Sequence, residues 1–378
     1  MIYLDNAATT YPKPASVKNA MQHAMQYYGA NPGRAGHSMS IAAAEEIYRC
    51  RKAAADFFHA PGPECVAFTL NCTHAVNYVI KGLLKPGDHV VTSCLEHNAV
   101  MRPLQKMSLQ GIAYTAARVF PNDNDATMSS FRASINEKTR LIICTHASNV
   151  WGVRLPVERI SALGHEYGIP VALDCAQSAG VLPIDMEKYR YDYLCIAAHK
   201  GLYGPMGTGM LITPHGAELD TVIEGGTGTN SAALFQPETM PDRMESGTQN
   251  MPGIAGLRAG IEFVREKTPE RIFHHEMELV RSLYRRMSQI KGVRLYMPEP
   301  TEPYFAPVFS FNVNDVPSEV VAQKLNQRGI AVRAGLHCAP CAHEFTDTLG
   351  QGAVRVCPSA FGNMNEMNHF ALTLAQII

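Results

Sequence analysis

Short apolar runs alternate with longer amphipathic stretches between residues 66 and 213. Helices are predicted between the runs, for example at Thr73–Leu84 and Val157–Tyr167. Continuous apolar runs that are separated by helices are typical of a mostly parallel sheet with helices on both faces. We therefore predict an α/β fold for this part of the chain. The candidate strands are Val66–Leu70, His89–Cys94, Leu141–His146, Val171–Asp174, Tyr193–Ala197 and Gly209–Thr213.

The pattern changes after about residue 250. One long helical stretch is predicted from Ile254 to Ile290, and strands follow with few helices between them. Residues 225–250 are rich in Gly, Thr, Ser and Pro, which is typical of an exposed loop. We predict a large domain over residues 15–250 and a smaller α+β domain formed by residues 1–14 and 251–378. The strands predicted in the smaller domain are Val293–Tyr296, Val308–Val313, Val332–Ala334 and Val354–Val356.

Composition narrows the function classes. The 378 residues carry a net charge of −1, so nothing in the charge balance favours a nucleic-acid or anionic-membrane partner. No apolar run approaches the roughly 18 residues that a membrane-spanning helix needs. The first residues lack the basic flank and apolar run of a secretory signal. We expect a cytoplasmic protein whose ten cysteines stay reduced.

Polar residues gather where the predicted strands end. In open α/β sheets, ligands bind in the crevice outside the carboxyl ends of the strands. Acids, amides, imidazoles and one amine should therefore meet in a single crevice. The segments that contribute them are Asn71–His74, Glu96–Asn98, His146–Asn149, Asp174–Gln177 and His199-Lys200.

Lys200 and Asp174 are the first two candidates for chemistry. A lysine at the end of a buried strand is partly desolvated, which lowers the pKa of its amine and makes it nucleophilic. An exposed surface lysine is the alternative for Lys200. A carboxylate such as Asp174 can pair with a pyridinium nitrogen and preserve the electron sink that pyridoxal 5′-phosphate (PLP) chemistry needs. A helix N-cap is the alternative for Asp174.

Thr73 and His74 open a predicted helix, whose N-terminal amides and threonine hydroxyl are suited to a phosphate. An N-cap is again the alternative. Neither a P-loop motif nor a dinucleotide-binding glycine motif is present, which disfavours nucleoside phosphates and NAD. Arg333 and Arg355 are suited to clamp an amino-acid carboxylate in bidentate fashion, with a structural salt bridge as the alternative for each.

The segment from His337 to His343 contains Cys338 and Cys341 in a C-x-x-C spacing. A neighbouring histidine and this spacing both tend to lower a thiol pKa, which favours a thiolate nucleophile at Cys338. The same residues offer up to four zinc ligands. Incidental loop cysteines are the third interpretation, and the residues alone leave all three open.

Together these blocks resemble the class V aminotransferases of PLP fold type I, and within them the cysteine desulfurases and selenocysteine lyases. The resemblance runs in order over nearly the whole chain. It implies a large domain with a mostly parallel seven-stranded sheet between helices and a smaller α+β domain that carries the Cys338 loop. The short spacing from Cys338 to Arg355 is similar to that of group II desulfurases. The matching blocks are Tyr3–Thr10, Glu96-His97, Ser148–Val150, Asp174–Gln177, His199-Lys200, Arg333–Ala339 and Arg355 ahead of Asn363.

The resemblance implies PLP as the cofactor and no metal. Lys200 would be the Schiff-base lysine, Asp174 the partner of the pyridinium nitrogen and Gln177 a contact of the phenolic oxygen. His97 would stack on the pyridine ring. The phosphate would lie among Thr73, His74 and His199. The family often has a serine where this chain has Ala197, so the turn at residues 72–74 must supply another phosphate donor.

The substrate side follows from the same resemblance. Cys338 would accept sulfur from L-cysteine and release L-alanine, and its persulfide would pass to an acceptor protein or a small thiol. The alternative is a selenocysteine lyase, or another lyase of this family that acts on a small amino acid. Cys341 is unusual for the family and is a candidate resolving thiol. Thr248 resembles a threonine that reaches the neighbouring subunit's phosphate, which implies a homodimer. The residues expected around the substrate are Asn149, Arg333, Arg355 and His37.

Overall fold

The computed structural model describes residues 1–32 and 36–378. Twelve strands and twelve α-helices lie within these residues. The strands are β1 Ile2–Tyr3, β2 Val66–Thr69, β3 His89–Ser93, β4 Ala113–Ala117, β5 Thr139–Thr145, β6 Val171–Asp174, β7 Tyr193–Ala197, β8 Gly209–Ile212, β9 Val293–Leu295, β10 Phe309–Val313, β11 Ile330–Ala331 and β12 Val354–Val356. The helices are α1 Ala15–Tyr27, α2 Ser38–Phe58, α3 Cys72–Leu83, α4 Asn98–Ser108, α5 Asn124–Ser134, α6 Val157–Glu166, α7 Met186–Tyr189, α8 Met251–Lys267, α9 Pro269–Met287, α10 Ser318–Asn326, α11 Pro340–Glu344 and α12 Met364–Ile377.

The central sheet has seven strands in the order β2-β8-β7-β6-β5-β3-β4. Only β8 runs against its neighbours, so the prediction of a mostly parallel sheet in an α/β fold is confirmed. Every residue of β6 and β7 is buried, because helices cover both faces of the sheet. β4 was not predicted: it is an edge strand that is mostly exposed, so it lacks the apolar run that marks the inner strands.

A second, antiparallel sheet of three strands has the order β12-β10-β9. It shares an apolar core with α9, α10 and α12 and with Leu4 from the N-terminal segment. Helix α8 instead contributes Ile254, Leu257 and Ile261 to the core around the large sheet. The domain boundaries at residues 14/15 and 250/251 stay a prediction.

Two elements differ from the prediction. The helical stretch from Ile254 to Ile290 is two helices, because Thr268 adopts a positive φ of 65° and Pro269 cannot donate a backbone hydrogen bond to the preceding turn. The prediction of a strand at Val332–Ala334 is wrong. The ladder with β1 ends at Ala331, and Arg333 forms only an isolated bridge with Arg355.

All ten cysteines are free thiols, and most of them are buried. None of the helices in the described residues is both long and apolar enough to cross a membrane.

Candidate active site

A cavity of about 220 Å³ opens at the carboxyl edge of the central sheet. The register of the strands explains why polar side chains meet there: Asp174 is paired with Thr145 of β5 on one side and with Cys195 of β7 on the other. The sequence-predicted residues that line the cavity are Thr73, His97, Asn149, Asp174, Gln177, His199, Lys200, Arg333, Cys338 and Arg355. The crevice inferred from the strand ends is therefore a single pocket.

Lys200 follows β7 and is partly buried. Burial lowers the pKa of its amine, and the nearby Asp174 carboxylate opposes that shift. The turn ahead of it is fixed by the carbonyl of His199, which accepts hydrogen bonds from the Thr10 amide at 3.1 Å and from Lys13 Nζ at 2.7 Å. No pattern in the sequence indicates this role of Lys13. Burial lowers the pKa of Lys13 to about 8.

Asp174 ends β6 and is 4% exposed. Its Oδ1 accepts hydrogen bonds from the Ala176 amide at 2.9 Å and from the Cys72 thiol at 3.3 Å. The first bond has the geometry of a local cap, so the capping role considered for Asp174 is present. It involves one oxygen only, and Asp174 still lines the cavity.

His97 is the N-cap of α4, where its Nδ1 accepts a hydrogen bond from the Ala99 amide at 2.9 Å. Burial lowers the pKa of the ring, although the Asp174 carboxylate opposes the shift. A neutral ring with Nδ1 as acceptor carries its proton on Nε2. Gln177 is also held in place, because its Nε2 donates to the carbonyl of Ala7 at 3.0 Å. Both side chains are thus fixed by main-chain groups.

Two residues of the cavity lining, Thr73 and His199, are suited to an anion. Thr73 lies in the first turn of α3 and is exposed, and the His199 ring is partly buried with no hydrogen-bond partner on Nδ1 among the described residues. A helix N-terminus beside an unpaired imidazole nitrogen is a favourable site for a phosphate. Ala197 also lines the cavity and offers no hydroxyl.

His74 is directed elsewhere than expected. Its Nδ1 accepts a hydrogen bond from the Leu70 amide at 3.3 Å, and its ring packs on Tyr78 with 4.5 Å between the ring centroids. It lines a neighbouring cavity that also contains Thr248. The proposed contact of His74 with a phosphate stays a prediction.

Arg355 is 2% exposed and joins the two sheets. Its guanidinium donates to the Asn149 carbonyl at 3.0 Å and to Asp5 Oδ1 at 2.9 Å, while Nε has no partner among the described residues. A structural salt bridge and an anion-binding role are compatible here, because the guanidinium still lines the cavity. Arg333 is exposed at the cavity rim.

Cys338 is exposed on a loop between β11 and α11. Its backbone and that of His337 both have positive φ, 56° and 50°, which costs each residue about 1–2 kcal/mol. Three hydrogen bonds offset this strain. The Asn98 amide donates to the Cys338 carbonyl at 2.7 Å, Asn149 Nδ2 to the His337 carbonyl at 2.8 Å, and His337 Nε2 to the Ala353 carbonyl at 2.9 Å.

His337 does not supply the positive charge that the sequence suggested. The ring is 5% exposed, and burial together with the Arg355 charge lowers its pKa to about 2. The ring is therefore neutral at physiological pH and cannot stabilise a thiolate at Cys338 as an imidazolium would. Its role is to hold the loop, and it lines the cavity beside Cys338.

Cys341 is the second residue of α11 and is half-buried outside the lining of the cavity. Burial, Glu344 and Glu96 all raise the pKa of its thiol, which makes it a weaker nucleophile. No group of metal-ligating side chains forms in the described part of the chain, and His343 Nδ1 is engaged with Thr348 at 2.7 Å. The zinc interpretation gains no support from this geometry.

Two further predicted residues lie away from the cavity. His37 is exposed and caps α2, where its Nδ1 accepts a hydrogen bond from the Ser40 amide at 3.3 Å. Thr248 is exposed beside the neighbouring cavity described above. Neither reaches the pocket of its own chain, so both assignments stay predictions.

Comparison with known proteins identifies the family. The family model for aminotransferase class-V matches residues 2–369. The chain belongs to the class V aminotransferase family. A protein from Methanothermobacter thermautotrophicus named probable cysteine desulfurase is 33% identical over 100% of this chain and 94% of its own length. A protein from Synechocystis sp. with the same name is 30% identical over 100% of this chain and 91% of its own length.

A solved structure leads to the same family. The apo structure of cysteine desulfurase from Thermococcus onnurineus NA1 superposes with a TM-score of 0.92 and is 30% identical, covering 100% of this chain and 94% of the other. Class V aminotransferases and cysteine desulfurases depend on PLP. The cavity described above fits this cofactor, since an amine, a carboxylate and an anion site with an unpaired imidazole nitrogen share one pocket.

Proposed function

We propose that this protein is a PLP-dependent cysteine desulfurase that converts L-cysteine to L-alanine and collects the sulfur as a persulfide on Cys338. One observation carries the proposal: the exposed thiol of Cys338 and the partly desolvated amine of Lys200 line a single cavity with Asp174. A transaminase needs the amine and the carboxylate but not the thiol. The full-length relatives named probable cysteine desulfurase support the same activity.

The residues that would hold PLP follow from the cavity. Lys200 would bind it covalently, and Asp174 would hold the proton of its ring nitrogen. His97 and Gln177, both fixed by main-chain hydrogen bonds, would contact the ring and its phenolic oxygen. The first turn of α3 with Thr73, and the unpaired nitrogen of His199, would take the phosphate.

PLP, when bound, supplies an electron sink that makes the Cα proton of an amino acid acidic. The amine of Lys200 would remove that proton, and its lowered pKa favours the neutral, basic form that this step requires. The Cys338 thiolate would then attack the substrate sulfur. A sulfur–sulfur bond forms, the Cβ–sulfur bond breaks, and the electron pair of that bond stays on the carbon side, which becomes alanine after protonation.

The substrate carboxylate would bind at Arg355, whose Nε has no partner among the described residues, and Asn149 and Arg333 line the same cavity. A charge-assisted bond to a buried guanidinium is strong and directional.

The roles predicted for Thr248 and His37 require a second copy of this chain. We propose a homodimer in which Thr248 and His37 act in the partner's site, because both are exposed and lie away from the cavity of their own chain. The persulfide on an exposed loop is accessible to an acceptor protein or a small thiol. A cytoplasmic location is part of the same proposal.

The proposed sulfur transfer is tested by measuring the mass of the intact protein. The PLP-loaded enzyme is incubated with L-cysteine, and the mass and the alanine released are followed together. We expect one added sulfur atom on Cys338 in the first turnover and none in Cys338→Ser. Cys341→Ser is the matched control and should gain the sulfur as the wild type does.

Selenocysteine and cysteine sulfinate are the discriminating substrates. Full cysteine desulfuration in Cys338→Ser would contradict the proposal and indicate another lyase of the family. Turnover of selenocysteine alone would favour a selenocysteine lyase. If sulfur persists on Cys338 longer in Cys341→Ser than in the wild type, Cys341 resolves the persulfide, and equal lifetimes exclude that role.

A further inference from the structure

Cys72 contacts the carboxylate of Asp174 and is one of the residues that line the cavity. It is the first residue of α3 and is 6% exposed. Its Sγ lies 3.3 Å from Asp174 Oδ1 and 3.2 Å from the carbonyl oxygen of Cys195. The desulfurase mechanism proposed above leaves this thiol without a role.

The direction of the hydrogen bond is fixed by chemistry. Burial and the negative charge of Asp174 raise the pKa of the Cys72 thiol, so it keeps its proton. An ionised carboxylate and a carbonyl are acceptors only, and the S–H group is the one donor among the three. The Cys195 carbonyl already accepts from the Cys175 amide at 2.9 Å. The carboxylate, which offers a charge-assisted bond, is the better acceptor for the thiol.

The contact determines how Asp174 presents its two oxygens. Oδ1 accepts from both Cys72 and the Ala176 amide, whereas Oδ2 forms no hydrogen bond within the described residues. The backbone amide and the thiol approach from different elements, the β6 turn and the N-terminus of α3. The carboxylate is thereby held against rotation, with one oxygen occupied and one available.

We propose that Cys72 is a positioning residue for Asp174, whose S–H bond to Oδ1 leaves Oδ2 for the cofactor's ring nitrogen and withdraws negative charge from the carboxylate. The inference rests on the proposed function, because it assumes that Asp174 meets that nitrogen. A thiol is a weak donor, so it withdraws less charge from the carboxylate than a hydroxyl would. The proton on the cofactor's ring nitrogen would then be shared between that nitrogen and Asp174. The strength of the thiol's hydrogen bond would determine how far the proton moves towards Asp174.

The hydrogen bond itself is tested by infrared spectroscopy on the full chain, with and without PLP. The S–H stretching band lies in a region that is free of other protein bands, and the difference between wild type and Cys72→Ala isolates the band of this thiol. We expect a band that is shifted to lower frequency and intensified in the wild type. Asp174→Asn should move it back towards the position of a weakly bonded thiol. A wild-type band already at that position would overturn the inference.

The effect on the cofactor is tested by the nitrogen-15 resonance of the pyridine nitrogen, with labelled PLP bound to wild type, Cys72→Ala and Cys72→Ser. Alanine and serine remove nearly the same volume, but only serine keeps a donor. We expect the resonance to move towards the unprotonated position in Cys72→Ala and back in Cys72→Ser. The kcat should fall about 3- to 10-fold in Cys72→Ala, as for the loss of one hydrogen bond, with little change in KM. Equal resonances in all three proteins would overturn the tuning role.

The two proposals fail in different ways. Without PLP uptake, the cofactor absorbance is missing from the wild type while the shifted S–H band remains, which contradicts the proposed function and leaves the hydrogen bond standing. Normal uptake with an unshifted S–H band contradicts the role of Cys72 alone.

Discussion

The carboxyl edge of β5, β6 and β7 and the Cys338 loop face the same cavity, but different forces hold their side chains in place. Asp174 is fixed by the strand ladder on both sides, and Lys200 follows a strand that is wholly buried. Cys338 lies on irregular backbone with two consecutive residues at positive φ. Its position depends on three hydrogen bonds, to Asn98, Asn149 and Ala353.

This difference indicates that the two halves of the site, the sheet edge and the Cys338 loop, can be disrupted independently by mutation. The sheet edge forms whenever the central sheet folds, because its geometry is set by the ladder and the core. The loop needs partners from both sheets, since Asn149 follows β5 and Ala353 precedes β12. Changes at the edge should therefore abolish every activity. Changes in the loop should affect sulfur transfer while cofactor binding survives.

The largest effect is expected for Lys200→Ala, which removes the reactive group of the sheet edge. Borohydride reduction should fix the cofactor on Lys200 in the wild type and on no residue in the variant. Turnover should fall by roughly 10²- to 10⁴-fold or more, the usual contribution of a positioned base. Lys106→Ala, a change at an exposed lysine, is the control. Reductive labelling of another lysine, such as Lys13, would contradict the assignment.

Cys338→Ser changes the loop and leaves the edge intact. Desulfuration of cysteine should be lost while the cofactor absorbance and the borohydride adduct stay as in the wild type. Selenocysteine turnover should partly survive, because selenium leaves more readily than sulfur. The measurements are alanine release and cofactor content on the same sample. A variant that also loses the cofactor would show that the two halves are not separable.

Arg355→Lys changes a residue that lies where the sheet edge and the Cys338 loop meet. Lysine keeps the charge but cannot contact Asp5, the Asn149 carbonyl and a substrate carboxylate with one planar group. Loss of a charge-assisted bond of about 1.5–3 kcal/mol should raise KM for cysteine by roughly 10- to 100-fold. The exposed Arg328→Lys serves as the control in steady-state kinetics. An unchanged KM would move the carboxylate site elsewhere.

His337→Gln tests, through the pH dependence of stability, whether the buried histidine of the Cys338 loop is neutral. The histidine has a pKa of about 2 in the folded chain and about 6.5 when unfolded, so between these two pH values mainly the unfolded state binds the proton. Wild-type stability should therefore fall as the pH is lowered, whereas glutamine keeps a donor but does not titrate.

The measurement is the free energy of unfolding by denaturant at several pH values. Between pH 7 and pH 5 the wild type should lose about 2 kcal/mol relative to His337→Gln. A parallel pH dependence in the two proteins would mean that the ring of His337 is not held neutral in the fold.

The sequence determined the elements whose residues are wholly buried. Strands at Val171–Asp174 and Tyr193–Ala197 were predicted with their observed bounds, because a strand covered on both faces needs an unbroken apolar run. The polar residues at their carboxyl ends then had to share one edge, so Asp174, Lys200 and Asn149 were predicted to meet, and they line one cavity.

Tertiary structure decided the rest, because the contacts that matter join residues far apart in the chain. The neutral state of His337 arises from burial and from the charge of Arg355, and the Cys72 thiol meets Asp174 across 102 positions of sequence. His74 and Thr73 are neighbours in sequence but belong to different cavities, since the side chains of adjacent helical residues diverge. Residue type and spacing state which groups are available, whereas packing decides which are desolvated, which are paired and which way each one faces.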